Sequence, residues 1–404
     1  MQTTFAKSVG RRLLVGVVAL LVLFGRRPDA FFRPQFWAED FVFLTGAEKV
    51  GFASFARPQA GYLHFIPRLI AWPATWIDPA WQPALFVAGW LAVALTIVYA
   101  CLSPRHTLPL KPWLAAAVLL VPHSGEVFFT PTNAQWVAAL GLLLTLAKVD
   151  PVRASDWLAD LGILFFAGLS GPFIIFAVPL FAFRAVQRKT AASRWLAGVA
   201  LALAGTQGWF IGHEAPDREF VGPFAALGLC ANVCFRLPGN LFFGALLTGT
   251  TSKVIVIALG AGVLGFVGFA AFRSEQHRAT LGSFLGFVVL LLTCTTLRKR
   301  FDLWGYGDIA NGDRYFFIPK VVLLWTVGIV FATQRVRWIK WAAGTLMVSS
   351  LACNAPRFQF TPLKNFGWYE RCPEIRAGHE IEITINPGWK FRYQRGSHAS
   401  AGPI

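Results

Sequence analysis

The chain has 404 residues, of which 55% are hydrophobic and only 14% charged, with a net charge of +17; a soluble domain holds about a quarter charged residues. With 38 Phe and 16 Trp and a mean hydropathy of +0.54, this composition excludes a cytosolic enzyme, a disordered chain and a small disulfide-built module. Apolar runs recur from Leu13 to Cys353, which excludes a single-anchor protein and predicts an all-α polytopic integral membrane protein; the runs do not alternate, which argues against an outer-membrane barrel.

Lys7–Arg12 precedes a first apolar run at Leu13–Phe24. No small-residue cleavage site follows it, so it reads as an uncleaved helix with a cytoplasmic N-terminus. Further runs lie at 83–103, 113–122, 136–147, 158–183, 195–212, 253–272, 281–296, 317–333 and 341–353. Ser170-Gly171-Pro172 interrupts the run at 158–183 and predicts two short helices meeting there, as is tolerated where helices face protein or a wet cavity. The short segments 104–111, 148–157, 184–194, 273–278 and 334–340 are dense in Lys and Arg and read as cytoplasmic. The long segments 26–82, 123–135, 213–252, 297–316 and 354–404 then lie outside. They hold more basic residues in total, and a phosphate or anionic-lipid partner would account for that excess; nucleic acid is not expected.

Two parts are expected: a membrane module over 1–353, with its first outer loop at 26–82, and a small tail over 354–404. In the tail, His379–Ile385 alternates polar and apolar, Asn386-Pro387-Gly388 turns and Trp389–Tyr393 follows, which predicts a β-hairpin. Ser397–Ile404 reads as disordered. Cys101 and Cys294 read as small core residues. Cys230 and Cys234 sit four apart, and Cys353 and Cys372 flank the start of the tail, where a disulfide is open to them if the tail is periplasmic. No metal-ligand spacing is present.

The first outer loop holds Glu39-Asp40 among aromatic residues in Phe36–Leu44. A carboxylate in a partly apolar cavity can hold the pKa that a general base requires. The pair could equally favour the N-terminus of an interfacial helix over 39–48. In Gly61–Leu69 (GYLHFIPRL), helical spacing puts His64 and Arg68 on one face, where they would point a cationic stripe at a phosphate or meet lipid headgroups. Thr132-Asn133-Ala134-Gln135-Trp136 offers amides and a flat apolar ring of the kind sugars bind, or else an N-cap and an interface anchor. Arg314 and Lys320 bracket the start of a late membrane helix, where a cation could hold a phosphate leaving group. Arg298–Arg300 reads as a grip on anionic headgroups. No Walker loop, dinucleotide fingerprint, zinc spacing or nucleophile elbow occurs. Asp160 is nearly alone as a mid-run charge, which argues against a proton-coupled transporter.

In order along the chain, Glu39-Asp40, GYLHFIPRL (61–69), NAQW (133–136), LSGPF (169–173), RYFFIPK (314–320) and ITINPGWKF (383–391) resemble the bacterial GT-C membrane glycosyltransferases, polyprenyl-phosphate-sugar-dependent enzymes of cell-envelope polysaccharides. The resemblance implies a bundle of about 10–12 membrane helices in the inner membrane, some short or broken, with interfacial helices in the first periplasmic loop and a small periplasmic tail. It implies an inverting transfer of a sugar from a polyprenyl-phosphate donor to a glycan or lipid acceptor. The catalytic acidic residue would fall on Asp40, with Glu39 the adjacent candidate. Arg314, Lys320, Arg68 and His64 would contact the donor phosphate, and Asn133, Gln135, Trp136 and Tyr315 the sugar or acceptor. Asp313, beside Arg314, would weaken a phosphate site unless it points away. A divalent metal stays open, with Glu39, Asp40, Asp308 and Asp313 as oxygen donors. The alternatives are a flippase of lipid-linked saccharides, and a polymerase or ligase using a pyrophosphate-linked donor.

Overall fold

The computed structural model describes residues 2–213, 223–299 and 312–396; Arg300, Gly305–Asp308 and Ser397–Ile404 lie outside them. Among the described residues the protein is helical apart from one hairpin. The first apolar run forms α1 (Gln2–Arg26), and the loop after it folds into α2 (Asp29–Phe32), α3 (Ala38–Val50) and α4 (Phe65–Ala74). There follow α5 (Gln82–Cys101), α6 (Lys111–Leu120), α7 (Ala134–Ala147), α8 (Ala154–Gly168), α9 (Phe173–Arg188) and α10 (Ala191–His213). After them come α11 (Pro223–Cys234), α12 (Asn240–Thr250), α13 (Lys253–Phe272), α14 (Arg278–Lys299), α15 (Arg314–Thr333), α16 (Arg337–Asn354) and α17 (Trp368–Arg376). The hairpin pairs β1 (Ile381–Ile385) with β2 (Trp389–Tyr393).

Among the described residues, five helices are long and apolar enough to cross a membrane: α5 with its preceding turn, α10, α13, α14 through Thr295, and α15. About 10–12 membrane helices, some short or broken, were expected; besides these spans, the described residues hold shorter apolar helices such as α7, whose 14 residues reach about 21 Å against a hydrocarbon core of about 30 Å. Helix α7 can be short because it meets no lipid: every residue from Ala134 to Leu146 is buried. Helix α15 is likewise buried from Phe316 to Val330 and packs against α7. By contrast α10, α13 and α14 turn Trp195, Leu201, Trp209, Val254 and Val289 outward, as lipid-facing helices do.

The break between α8 and α9 forms where expected. Gly171 takes φ +132°, and Pro172 caps α9. Segment 63–66 docks into this break. Phe65 N–H donates to the Leu169 carbonyl (3.0 Å) and Ile66 N–H to Ser170 Oγ (2.8 Å). From α10, the fully buried Gln207 accepts from Leu63 N–H (2.9 Å) and donates to the Gly168 carbonyl (3.0 Å). Backbone polar groups freed by the broken helix thus find partners inside the protein. The helix expected over 61–69 starts only at Phe65, and His64 is its N-cap.

At the far ends of α7 and α8, charges join the short loops. Asp160, buried in the second turn of α8, takes a two-pronged Arg105 (2.9 and 2.7 Å) and Lys148 (3.0 Å). Asp150 binds Arg184 (2.7 Å) and Arg188 (2.9 Å). The lone mid-run charge is therefore a structural tie.

The tail shares a core with the first loop. The Phe41 ring lies 5.1 Å from Phe391, 5.0 Å from Tyr393 and 5.9 Å from Trp368. Trp368 Nε1 donates to the Pro79 carbonyl (2.9 Å), and Arg376 pairs with Asp78 (2.6 Å). Arg26, buried at the end of α1, stacks on Phe360 at 4.1 Å and donates to the Val121 carbonyl (3.1 Å). Cys353 and Cys372 are both free; Cys372 is buried against the Trp368 carbonyl.

Candidate active site

The first turn of α3 is held from outside the helix. Trp37 is extended and bridges to Asn386 in the hairpin turn, and Ala38 N–H donates to the Asn386 carbonyl (2.6 Å). This satisfies one of the N–H groups that a helix start leaves open. Glu39 and Asp40 follow at once.

Asp40 is 1% exposed. Its Oδ1 accepts from Thr132 N–H (2.8 Å), the Thr132 hydroxyl (2.6 Å) and the Thr130 hydroxyl (3.1 Å). Burial pushes its carboxyl up to about 7; the threonine bonds pull the other way, and the nearby Glu39 adds to the rise. A carboxylate with these settings can take a proton near neutral pH.

Glu39 is half-buried and acts electrostatically on Asp40, Glu126 and Arg314. Glu126 pairs with Arg314 at 2.5 Å, and its backbone carbonyl accepts from Asn133 Nδ2 (2.9 Å). Burial raises the Glu126 carboxyl, against the pull of Arg314. The Arg314 guanidinium lies 5.3 Å from the Tyr315 ring. Trp136 meets Tyr315 at 5.4 Å and Phe173 at 4.7 Å, both edge-on. Gln135 lies against Gly171, where any Cβ would collide with its Oε1. Asp40, Glu39, Asn133, Gln135, Trp136, Arg314 and Tyr315, chosen from three separate motifs, are thus linked contact by contact.

Arg68 on α4 is 5% exposed. It donates to the Arg57 carbonyl (2.6 Å) and lies 5.2 Å from the Phe43 ring. Among the described residues no carboxylate pairs with it, and its Nε has no partner. Burial lowers it to about 10, still charged at neutral pH.

Two residues expected at a phosphate do something else. His64 is buried, stacked on Tyr62 at 4.5 Å and bonded to the Tyr62 carbonyl. Burial pushes it down to about 3, so it is a neutral N-cap and adds no positive charge. Lys320 is 1% exposed and spent on Asp313 (2.6 Å) and the Pro122 carbonyl (3.0 Å). Asp313 also accepts from Ser124 N–H (2.7 Å), so it is turned into the 122–125 loop. Burial works to raise Asp313, but Lys320, His123 and the Ser124 bond outweigh it and hold it below the usual carboxylate range. Asn133 is also committed, since its amide spans to Glu126.

Among the described residues, no three His, Cys, Asp or Glu side chains gather as metal ligands; Asp308 lies outside that set. Sequence reasoning missed Thr130, Glu126 and Gln207. Gln207 carried a usable signal, a single amide inside an apolar run.

Below α4 an apolar groove of about 1830 Å³ runs between α1, α4, α5, α6, α7 and α8. Ile66, Leu69 and Ile70 line it near α4, and Arg12, Ser103 and Lys111 at its other end. No protein-family model, curated protein or solved structure matches this chain. What the fold and site define is a helical protein with membrane-length apolar helices, a buried neutral-range carboxylate, a buried guanidinium and an adjoining apolar groove.

Proposed function

We propose that the protein is a membrane glycosyltransferase that moves a sugar from a polyprenyl-phosphate donor to an acceptor hydroxyl at the periplasmic face of a bacterial inner membrane. The observation that carries this reading is Asp40, a buried carboxyl near 7, joined through Thr132, Asn133 and Glu126 to Arg314. Asp40 takes the acceptor's proton as the hydroxyl attacks the anomeric carbon. The transition state resembles an oxocarbenium ion. Arg68, charged and with no carboxylate partner among the described residues, binds the departing phosphate, and acts more strongly in a dry site than in water. The donor's lipid chain lies in the apolar groove, which Ile66, Leu69 and Ile70 of α4 help to line, and Arg68 stands on that same helix. No step requires a nucleotide.

The same groove favours a second reading, a flippase of lipid-linked saccharides, because it reaches Arg12 and Lys111 at the other end. The two separate in proteoliposomes loaded with a labelled polyprenyl-phosphate sugar and membrane-extracted acceptors. Label leaving the lipid for a covalent product supports the transferase. Label crossing the bilayer while still on its lipid overturns it in favour of the flippase.

A further inference from the structure

Buried polar atoms normally have partners, and one that lacks them calls for an explanation in ligand or water. Two such atoms belong to neighbouring residues at the start of α7. Gln135 is 4% exposed and Trp136 5% exposed, yet among the described residues Gln135 Oε1 and Trp136 Nε1 have no hydrogen-bond partner. One is an acceptor and the other a donor. Both face the α8–α9 break: Gln135 Oε1 lies against Gly171, and the Trp136 ring against Phe173, two residues on. Tyr315 closes the ring cluster from α15. The neighbouring Asn133 takes no part, since its amide is bonded to Glu126.

The charges nearby are unequal. The carboxylates acting on Arg314 are Glu126, paired at 2.5 Å, and Glu39. Two acids therefore act on Arg314, and the fork that a ligand carboxylate would need is already engaged. A sugar carboxylate would meet net repulsion here, whereas neutral hydroxyls would find one acceptor, one donor and aromatic faces.

Resting on the donor reading above, we infer that Gln135 Oε1 and Trp136 Nε1 are a hydroxyl-reading pair, set in a Trp136–Phe173–Tyr315 box, that selects a neutral sugar on the donor lipid and rejects a uronic acid. A site built to hydrogen-bond a hydroxyl discriminates strongly, because the wrong ligand leaves its buried groups unpaired.

The test is competitive binding to the full-length protein in nanodiscs. The probes are bare decaprenyl phosphate, decaprenyl phosphate carrying glucose, galactose, mannose or arabinose, and the glucuronic acid form. The best neutral lipid should bind at least roughly tenfold tighter than the glucuronosyl lipid. Gln135→Leu and Trp136→Phe should each cut the advantage of that neutral lipid over the bare one by about three- to tenfold. Affinity for bare decaprenyl phosphate should not change, which also shows that the variants fold. Equal or tighter binding of the glucuronosyl lipid overturns the inference. So does an unchanged neutral-over-bare ratio in both variants, which would mean that the two atoms are served by water. No binding of bare decaprenyl phosphate to wild type would instead overturn the donor reading on which the inference rests.

Discussion

Asp40 owes its properties to two opposed effects, burial that favours the neutral acid and three threonine hydrogen bonds that favour the anion. Acting as a base, it must be ionised, so the transfer rate should rise with pH and level off above about 7. Thr132→Val removes the hydroxyl bond at 2.6 Å and leaves the backbone one. The carboxyl should then titrate higher, and the rising limb of the pH–rate curve should move up by about one unit; an unmoved limb would separate Asp40 from the rate. Stability follows the same titration. The folded value lies above the unfolded one, so this stabilising contribution is complete below pH about 4. It fades as pH rises and is gone above about 7, a slope that thermal unfolding in detergent should show and Asp40→Asn should remove. The carboxylate pair was legible in the sequence because two adjacent acids among aromatics are rare. The fates of His64 and Lys320 were not, because spacing fixes a helix face and says nothing about which tertiary acceptor will use up the charge. Lys320 is spent on Asp313, seven residues away in sequence.

At the scale of elements, the interrupted run at 158–183 and the hairpin motif could both be read from local chemistry: Ser-Gly-Pro at the break, and strict alternation followed by a turn. Their partners could not. The break receives segment 63–66 and Gln207, and the hairpin turn receives the start of α3. These pairings join residues more than a hundred positions apart, and no periodicity encodes them. They make two elements testable. Gly171→Ala puts a side chain at φ +132° and into Gln135, so donor transfer should fall and the protein should lose about 1–3 kcal/mol, read by thermal unfolding. Trp368→Ala empties the cluster between tail and first loop, and a loss of about 3–5 kcal/mol is expected. Because this cluster seats α3, activity and cooperative unfolding should weaken together. Loss of neither would show that the tail is dispensable to the site.

For the whole molecule, the burial of α7 and α15 and the exposure of α10, α13 and α14 arrange a central pair behind an apolar rim. Composition announced a membrane protein, but the number of full-length spans did not follow from the runs, since enclosed helices need not match the bilayer. The groove could not be seen in the sequence either, because its walls come from six helices. Ala159 lines it and is exposed, so Ala159→Trp should block it without disturbing the core. A decaprenyl-phosphate sugar should then bind roughly tenfold more weakly, from the apolar contact it can no longer bury. A short-chain analogue should bind as before, and equal loss for both lipids would place the chain elsewhere. The most direct test of the account compares wild type with Asp40→Asn in nanodiscs, each given labelled polyprenyl-phosphate sugars and membrane-extracted acceptors. The asparagine oxygen can still accept from Thr130 and Thr132, so the variant should fold and bind donor. Label should leave the lipid with wild type and stay on it with Asp40→Asn. Transfer by Asp40→Asn near the wild-type rate would contradict the central role given to this carboxylate.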